Sequence, residues 1–398
     1  MGDSPRDMVK EEPSHPPETG HVEIVHSLVR VAVVIALLFL FLLGVNGLSD
    51  GFKSLGRELL DSFFAATENP FIGLMVGILA TTLMQSSSVT TSMIVAFVAA
   101  PENPLPIANA VPMVMGANIG TTVTNTIVAM AHMSRRDEFR RAFSVATCHD
   151  FFNFMTVIVL LPLELLTGYL QTTATWLASL LTGVGGVEYE SPIKGALKAG
   201  LTPIKSAVEA VMPTDQLVGV VMIVLSGGMI FAALLLLVKT LRSALQTRVE
   251  VFLSRAFGQH AALGMLIGLI VTAIVQSSSI TTSLLVPLAG AALITLEQAF
   301  PITLGANVGT TVTALMAALA ATGVNASAGI TIALVHLLFN VSGTLLIYPV
   351  DRIRRIPLAA ARWLAATAAK SRRWAIIYVA FMFYGLPAVF ALLRNLFE

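Results

Sequence analysis

QSSSVTTS, Gln85 to Ser92, and QSSSITTS, Gln276 to Ser283, each place six hydroxyls and an amide inside an apolar run. The match widens around them to GLMVGILATTLMQSSSVTTSMIVAFVAA from Gly73 and GMLIGLIVTAIVQSSSITTSLLVPLAGA from Gly264, an offset of 191 residues. Further on, GANIGTTVT (Gly116 to Thr124) matches GANVGTTVT (Gly305 to Thr313) at offset 189, and HDFFN (His149 to Asn153) matches HLLFN (His336 to Asn340) at 187. Three motifs in one order at nearly constant spacing mark a duplicated unit.

The surroundings are those of a membrane protein. The chain is 56% hydrophobic and 12% charged, with a mean hydropathy of +0.82, where a soluble domain carries about 25% charged residues. Windows such as Leu28 to Val45 and Leu217 to Val238 are long enough to cross a hydrocarbon core of about 30 Å as helices. The expected class is an all-α integral membrane protein. Residues 1–27 begin MGDSPRDMVKEEPSHPPETGH, charged and Pro-rich, and read as a disordered cytoplasmic tail and not as a cleavable signal, so the first apolar run stays as an anchor. A single cysteine, Cys148, excludes an internal disulfide. A net charge of +1 offers no argument for a nucleic-acid partner.

Basic residues give the orientation. The stretches His132 to Arg141, Lys239 to Phe257 and Asp351 to Arg373 are rich in Arg, which places them in the cytoplasm. Asp50 to Asn69 and Gln171 to Asp215 carry balanced or acidic charge and fall outside. From an inside N-terminus the first span runs outward, Ile107 to Ala131 returns and Ala142 to Tyr169 goes out again. Leu217 to Val238 then runs inward, so the two halves are inverted repeats if each QSSS segment enters and leaves on one side. That condition has a physical reason. Gly73 to Ala100 is 28 residues, as one straight helix roughly 42 Å, so a re-entrant helical hairpin with QSSS near its tip fits better than a single span. An overlong tilted helix with hydroxyls bonded to its own carbonyls is the alternative. The expected organisation is a first inverted repeat at 28–170, an extracellular loop at 171–216, a second repeat at 217–350, a basic cytoplasmic loop at 351–373 and a last transmembrane helix at 374–398. Amphipathic pieces around Phe52 to Phe64 and Leu241 to Phe257 read as interfacial helices.

Inverted repeats with broken helices build a site near the bilayer midplane, with helix N-termini toward anions and freed carbonyls toward cations. Gln85, Ser86, Ser87, Ser88, Thr90, Thr91 and Ser92, with Gln276, Ser277, Ser278, Ser279, Thr281, Thr282 and Ser283, supply donors for an oxyanion and oxygens for a hard cation. The second motif pair adds Asn118, Thr121, Thr122 and Thr124, and Asn307, Thr310, Thr311 and Thr313; its glycines allow close backbone approach, either to a ligand or in helix packing. No Arg or Lys lies within these motifs, so an anion needs helix dipoles and co-bound cations. His149 and His336 read as packing residues hydrogen-bonded to a carbonyl, without a metal-type partner. Asp150, replaced by Leu337 in the second half, marks either a cation site or an ion pair with Arg140 or Arg141.

With GANIGTTVTNTIVA (Gly116 to Ala129), EFRRAF leading to HDFFN (Glu138 to Asn153) and EQAFPITLGANVGTTVTA (Glu297 to Ala314) beside the two QSSS motifs, the chain resembles type II sodium-dependent phosphate cotransporters over about residues 28 to 397. The resemblance implies uptake of inorganic phosphate driven by sodium as co-transported ion, alternating access, a multi-pass plasma (inner) membrane location and a homodimer of independent protomers in the lipid bilayer. It places phosphate and sodium at Gln85 to Ser88 and Gln276 to Ser279, with Ser88 and Ser279 also facing sodium, and links Thr126, Asn153, Thr310 and Thr313 to sodium. Departures are Ser134-Arg135-Arg136 where vertebrate members have Gly-Asp-Arg, Ala306 where they have Ser, and a mixed Ser144, Ala146, Asp150 pattern between electroneutral and electrogenic members. The short Gln171 to Asp215 segment points to a bacterial version. Rival readings are a transporter of another oxyanion, a phosphate-sensing receptor, for which the sequence offers no cytoplasmic signalling domain, and an intramembrane hydrolase, which lacks a base within the motif.

Overall fold

The computed structural model describes residues 19–54, 67–101, 103–183, 192–256, 260–321 and 324–390. Helices and short connections account for them, with no strand among the described residues. In chain order these are α1 (Thr19–Ser54), α2 (Pro70–Met84), α3 (Ser87–Val98), α4 (Ile107–Gly120), α5 (Val123–Met130), α6 (Arg136–Thr167), α7 (Tyr169–Gly183), α8 (Pro192–Val211), α9 (Asp215–Ala256), α10 (Ala261–Val275), α11 (Ser278–Gly290), α12 (Leu296–Ala320), α13 (Ala326–Ile347), α14 (Asp351–Lys370) and α15 (Arg373–Ala380), which runs into a π turn at Phe381–Gly385. Among the described residues, six helical segments are long and apolar enough to cross a membrane: Leu28–Leu48, Arg136–Thr167, Asp215–Ala233, Leu296–Leu319, Ala326–Ile347 and Arg373–Phe390.

The four helices flanking the QSSS motifs are shorter. α2, α3, α10 and α11 have 15, 12, 15 and 13 residues, roughly 18–23 Å each, less than a hydrocarbon core. The sequence breaks them in the same way twice. Gln85 and Gln276 adopt left-handed backbone at φ 54° and 58°, a conformation that costs a non-glycine residue about 1–3 kcal/mol. Each next serine is extended, and its hydroxyl caps the following helix: Ser86 accepts from the Val89 N–H and Ser277 from the Ile280 N–H, both at 3.4 Å. These caps, each worth about 0.5–2 kcal/mol, offset the strain.

Each α2-type helix lies in backbone contact with the helix carrying the GAN motif. A Cβ on Gly77 would fall on the Met113 carbonyl and one on Gly116 on the Leu74 carbonyl; Gly268 and Gly305 stand in the same relation to Ile302 and Met265. Only glycine permits that approach. The partner helices differ between halves: α12 is continuous through Ala320, whereas its counterpart is interrupted at Thr121 and Thr122, between α4 and α5. Ile107 to Ala131 is therefore not one unbroken helix.

Three further expectations change. The tail assigned to 1–27 is helical from Thr19, because no proline falls between Pro17 and Pro70 and the apolar pattern starts there; residues 1–18 lie outside the described set. The loop expected at 171–216 is largely α7 and α8. α8 is amphipathic, and Leu197, Leu201 and Val208 bury against Leu43 of α1 and Val218 and Met222 of α9. The basic loop expected at 351–373 is mostly helix α14, whose Leu358, Ala361, Leu364, Ala365 and Ala368 are buried while Arg355, Arg362 and Lys370 stay exposed. Of the two pieces expected at the interface, residues 55–64 and Phe257 lie outside the described set, and Leu241 to Ala256 continues α9.

Candidate functional site

Two of the three polar constellations at the centre of the fold lie at the QSSS breaks and the GAN helices. At the breaks, the Ser88 hydroxyl donates to the Gln276 carbonyl at 3.3 Å, joining motifs 188 residues apart. The Gln85 amide donates to Thr82 O at 2.5 Å and accepts from Thr124 at 3.0 Å; Gln276 donates to Ala273 O at 2.5 Å and accepts from Thr313 at 2.7 Å. Ser87 and Ser278 are buried, 4% and 2% exposed, and with half-buried Ser279 their hydroxyls have no protein partner among the described residues. The N-terminal ends of α3 and α11 thus converge with free hydroxyls and unpaired helix N–H groups, a neutral setting in which dipoles favour an anion.

The second constellation is a crossed lattice of amides and imidazoles. His149 of α6 meets the Asn307 amide oxygen at 3.1 Å, and His336 of α13 meets that of Asn118 at 3.2 Å. Asn153 donates to Asn118 O at 2.7 Å, and Asn340 to Asn307 O at 3.2 Å. The Asn307 amide nitrogen donates to both Asn153 and Asn340 at 3.0 Å, and that of Asn118 to Val114 O at 2.9 Å. These donors fix the amide orientations, so each histidine presents its Nε2–H to an oxygen and keeps Nδ1 as the acceptor. Both histidines are buried with Nδ1 unpartnered. α6 and α13 are thereby each held by the GAN segments of both halves, the histidine by the other half's and the asparagine by its own. The side chains of Asn118 and Asn307, expected to contact an oxyanion, are engaged in this lattice.

The third constellation surrounds Asp150, which is 0% exposed. The Tyr378 hydroxyl of α15 donates to its Oδ2 at 2.6 Å, while Oδ1 has no partner. Thr122 and Thr126 lie against the carboxylate, yet their hydroxyls donate to the Ile119 and Thr122 carbonyls. The ion pair with Arg140 or Arg141 does not form: Arg140 pairs with Asp137 at 3.8 Å, and Arg141 caps the Ala289 and Gly290 carbonyls at the end of α11. Thr310 returns its hydroxyl to Ala306 O at 3.0 Å and stands apart from Asn153 in the hydrogen-bond network.

Sequence reasoning missed Tyr378, Asn340 and Asn125. Asn125 accepts from Thr282 and Ser283 at 3.0 Å each; its one signal was the replacement by Ala314 in the second copy. Tyr378, 228 residues from Asp150, carries no motif signal.

This chain matches the Na+/Pi-cotransporter family model over residues 40–187 and 229–389. It is similar to sodium-dependent phosphate transport protein 2A of Ovis aries, 33% identical across 94% of this chain and 70% of that protein. The 2A protein of Rattus norvegicus is 34% identical across 91% of this chain and 67% of its own length, and the 2B protein of Homo sapiens 32% across 90% and 64%. The chain therefore spans about two thirds of the relatives it matches. No solved structure matches it. With its family model covering both copies of the duplicated unit, the chain belongs to the Na+/Pi-cotransporter family.

Proposed function

We propose that this protein is a multi-pass plasma-membrane symporter that couples uptake of inorganic phosphate to sodium. The observation that carries the reading is the bond between Ser88 and the Gln276 carbonyl, which unites the two QSSS turns of one chain in a family whose relatives are named for sodium-dependent phosphate transport. Phosphate binds at Gln85 to Ser88 and Gln276 to Ser279, with the unpartnered hydroxyls of Ser87, Ser278 and Ser279 and the N-termini of α3 and α11 as donors. Asn118 and Asn307 hold the frame through the histidines. Sodium binds at Ser88, Ser279, Thr126, Asn153, Thr310, Thr313 and, in the first half alone, Asp150.

The short paired helices support re-entrant hairpins, since neither partner is long enough to cross. The Arg-rich stretches support inverted repeats with the N-terminus inside. Broken helices then line a wet site, where irregular backbone is tolerated. Alternating access follows as one half rocks against the other about the crossed lattice. Because one chain supplies both QSSS turns, each protomer of a homodimer transports independently. Radiolabelled phosphate uptake into proteoliposomes tests the reading: accumulation requires an inward sodium gradient, and accumulation indifferent to sodium would end it.

A further inference from the structure

Two clefts open beside the Arg-rich end of α6, and their charges differ. The larger, about 470 Å³, is lined by Arg140, Arg141, Arg362 and Glu297 among others, but its cations are engaged: Arg140 with Asp137, Arg141 with two carbonyls, Arg362 with Glu297. The smaller, about 270 Å³, is lined by Met133, Ser134, Arg136, Phe139, Lys370 and Arg372, with Ala369 between. No carboxylate lines it. The neighbouring acids are engaged elsewhere, Asp137 with Arg140 at 3.8 Å and Glu138 with Arg135 at 2.8 Å, and Arg136, Lys370 and Arg372 form no ion pair among the described residues.

The cleft sits where two spans begin. Ser134 and Arg136 stand at the start of Arg136–Thr167, and Lys370 and Arg372 directly precede Arg373–Phe390. Two helices entering hydrocarbon from this end set its depth at the headgroup layer. Aromatic side chains agree: Trp374 and Trp363 are 52% and 67% exposed, and exposed tryptophans concentrate at the membrane interface. A cleft at that level, with a hydroxyl, two guanidiniums and an ammonium and no competing acid, offers a phosphodiester charge-assisted donors from three sides.

We propose that the cleft between Arg136, Lys370 and Arg372 binds the phosphate headgroup of an anionic phospholipid of the cytoplasmic leaflet. The site is separate from the transport site, and neither it nor its test depends on the transport reading. The detergent-purified protein is titrated with phosphatidylglycerol or phosphatidylcholine, and bound lipid is counted by native mass spectrometry. Phosphatidylglycerol is expected to bind selectively, and the triple variant Arg136→Gln, Lys370→Gln, Arg372→Gln to bind it about a hundredfold more weakly, at roughly 1 kcal/mol per surface cation. The charge-keeping variant Arg136→Lys, Arg372→Lys retains binding and so controls for folding. A double variant outside the cleft, Arg352→Gln with Arg355→Gln, also retains it. Equal binding by the triple variant and the wild type overturns the proposal, as does equal loss in the outlying double variant, which indicates diffuse attraction. Millimolar inorganic phosphate provides the last arm: displacement of the lipid by phosphate assigns the cleft to the free ion and overturns the lipid reading.

Discussion

Asp150 poses the sharpest test, because its environment leaves a charge to be balanced. The carboxylate is fully buried, it accepts from a neutral phenol at 2.6 Å with the Thr122 and Thr126 hydroxyls beside it, and no cationic side chain pairs with it among the described residues. An ionised carboxylate in that setting costs several kcal/mol unless a counter-ion joins it. If the counter-ion is a co-transported sodium, Asp150→Asn removes the charge while keeping the shape and an amide oxygen for Tyr378 to donate to. The structural cost is then modest, about 1 kcal/mol for exchanging a charge-assisted hydrogen bond for a neutral one.

The functional cost is of another kind. One net charge crossing the membrane gains about 2.3 kcal/mol per 100 mV, roughly a fiftyfold change in the attainable accumulation ratio. Phosphate uptake into vesicles clamped with potassium and valinomycin is therefore expected to rise with inside-negative potential for the wild type. Asp150→Asn is expected to be slower, insensitive to voltage and dependent on fewer sodium ions. A wild type indifferent to voltage, or a variant as voltage-sensitive as the wild type, refutes the reasoning and leaves Asp150 as a structural anchor for the C-terminal helix.

Ser87→Ala and Ser278→Ala are each expected to abolish sodium-dependent phosphate uptake at normal membrane expression; normal uptake by both removes the QSSS assignment. On a Cys148→Ser background, single cysteines at Arg136 and Lys198, both exposed, are expected to react with impermeant thiol reagents from opposite faces, and same-side labelling contradicts the inverted map. Gly77→Ala and Gly268→Ala push a methyl into the facing backbone and are expected to destabilise by about 1–3 kcal/mol each, read as a fall in Tm in detergent; unchanged Tm values would show that the helices can part without cost.

What the sequence made legible was whatever the duplication recorded. The breaks at Gln85 and at Gln276 follow from a motif that occurs twice, and the repeated glycines pointed to a close backbone approach without saying whether to a ligand or to a helix. Helicity in the polar connections was hidden because α8 and α14 obtain their stability from one buried stripe against neighbours distant in sequence, and charge on the opposite face read as loop. The histidines were half legible: each is a packing residue, but its acceptor is an asparagine of the other half, a relation that no spacing along the chain encodes. Tyr378 was illegible, since a tyrosine in WAIIYVAF is indistinguishable from a lipid-facing one until its helix is docked.

The symmetry also fails at informative places. Thr272 donates to Thr281 at 2.9 Å, but the matching Thr81 has no partner. Ser283 donates to Asn125, while the matching Ser92 is buried and unpartnered, because Ala314 stands where an asparagine would serve it. Asp150 has Leu337 as its counterpart. At these matched positions the first half holds the buried carboxylate and the Thr81 and Ser92 hydroxyls without a partner among the described residues, whereas Thr272 and Ser283 are paired. A buried hydroxyl without a partner costs about 1–3 kcal/mol, and at Thr81 and Ser92 that cost falls on the half that also carries the buried carboxylate. The duplicated glycines and crossed amides supply a scaffold that treats both halves alike. We propose that Asp150, which the second half lacks, adds to the sodium positions at matched residues, so its substitution is expected to alter ion coupling, whereas substitutions at the matched glycines and amides alter folding or transport as a whole.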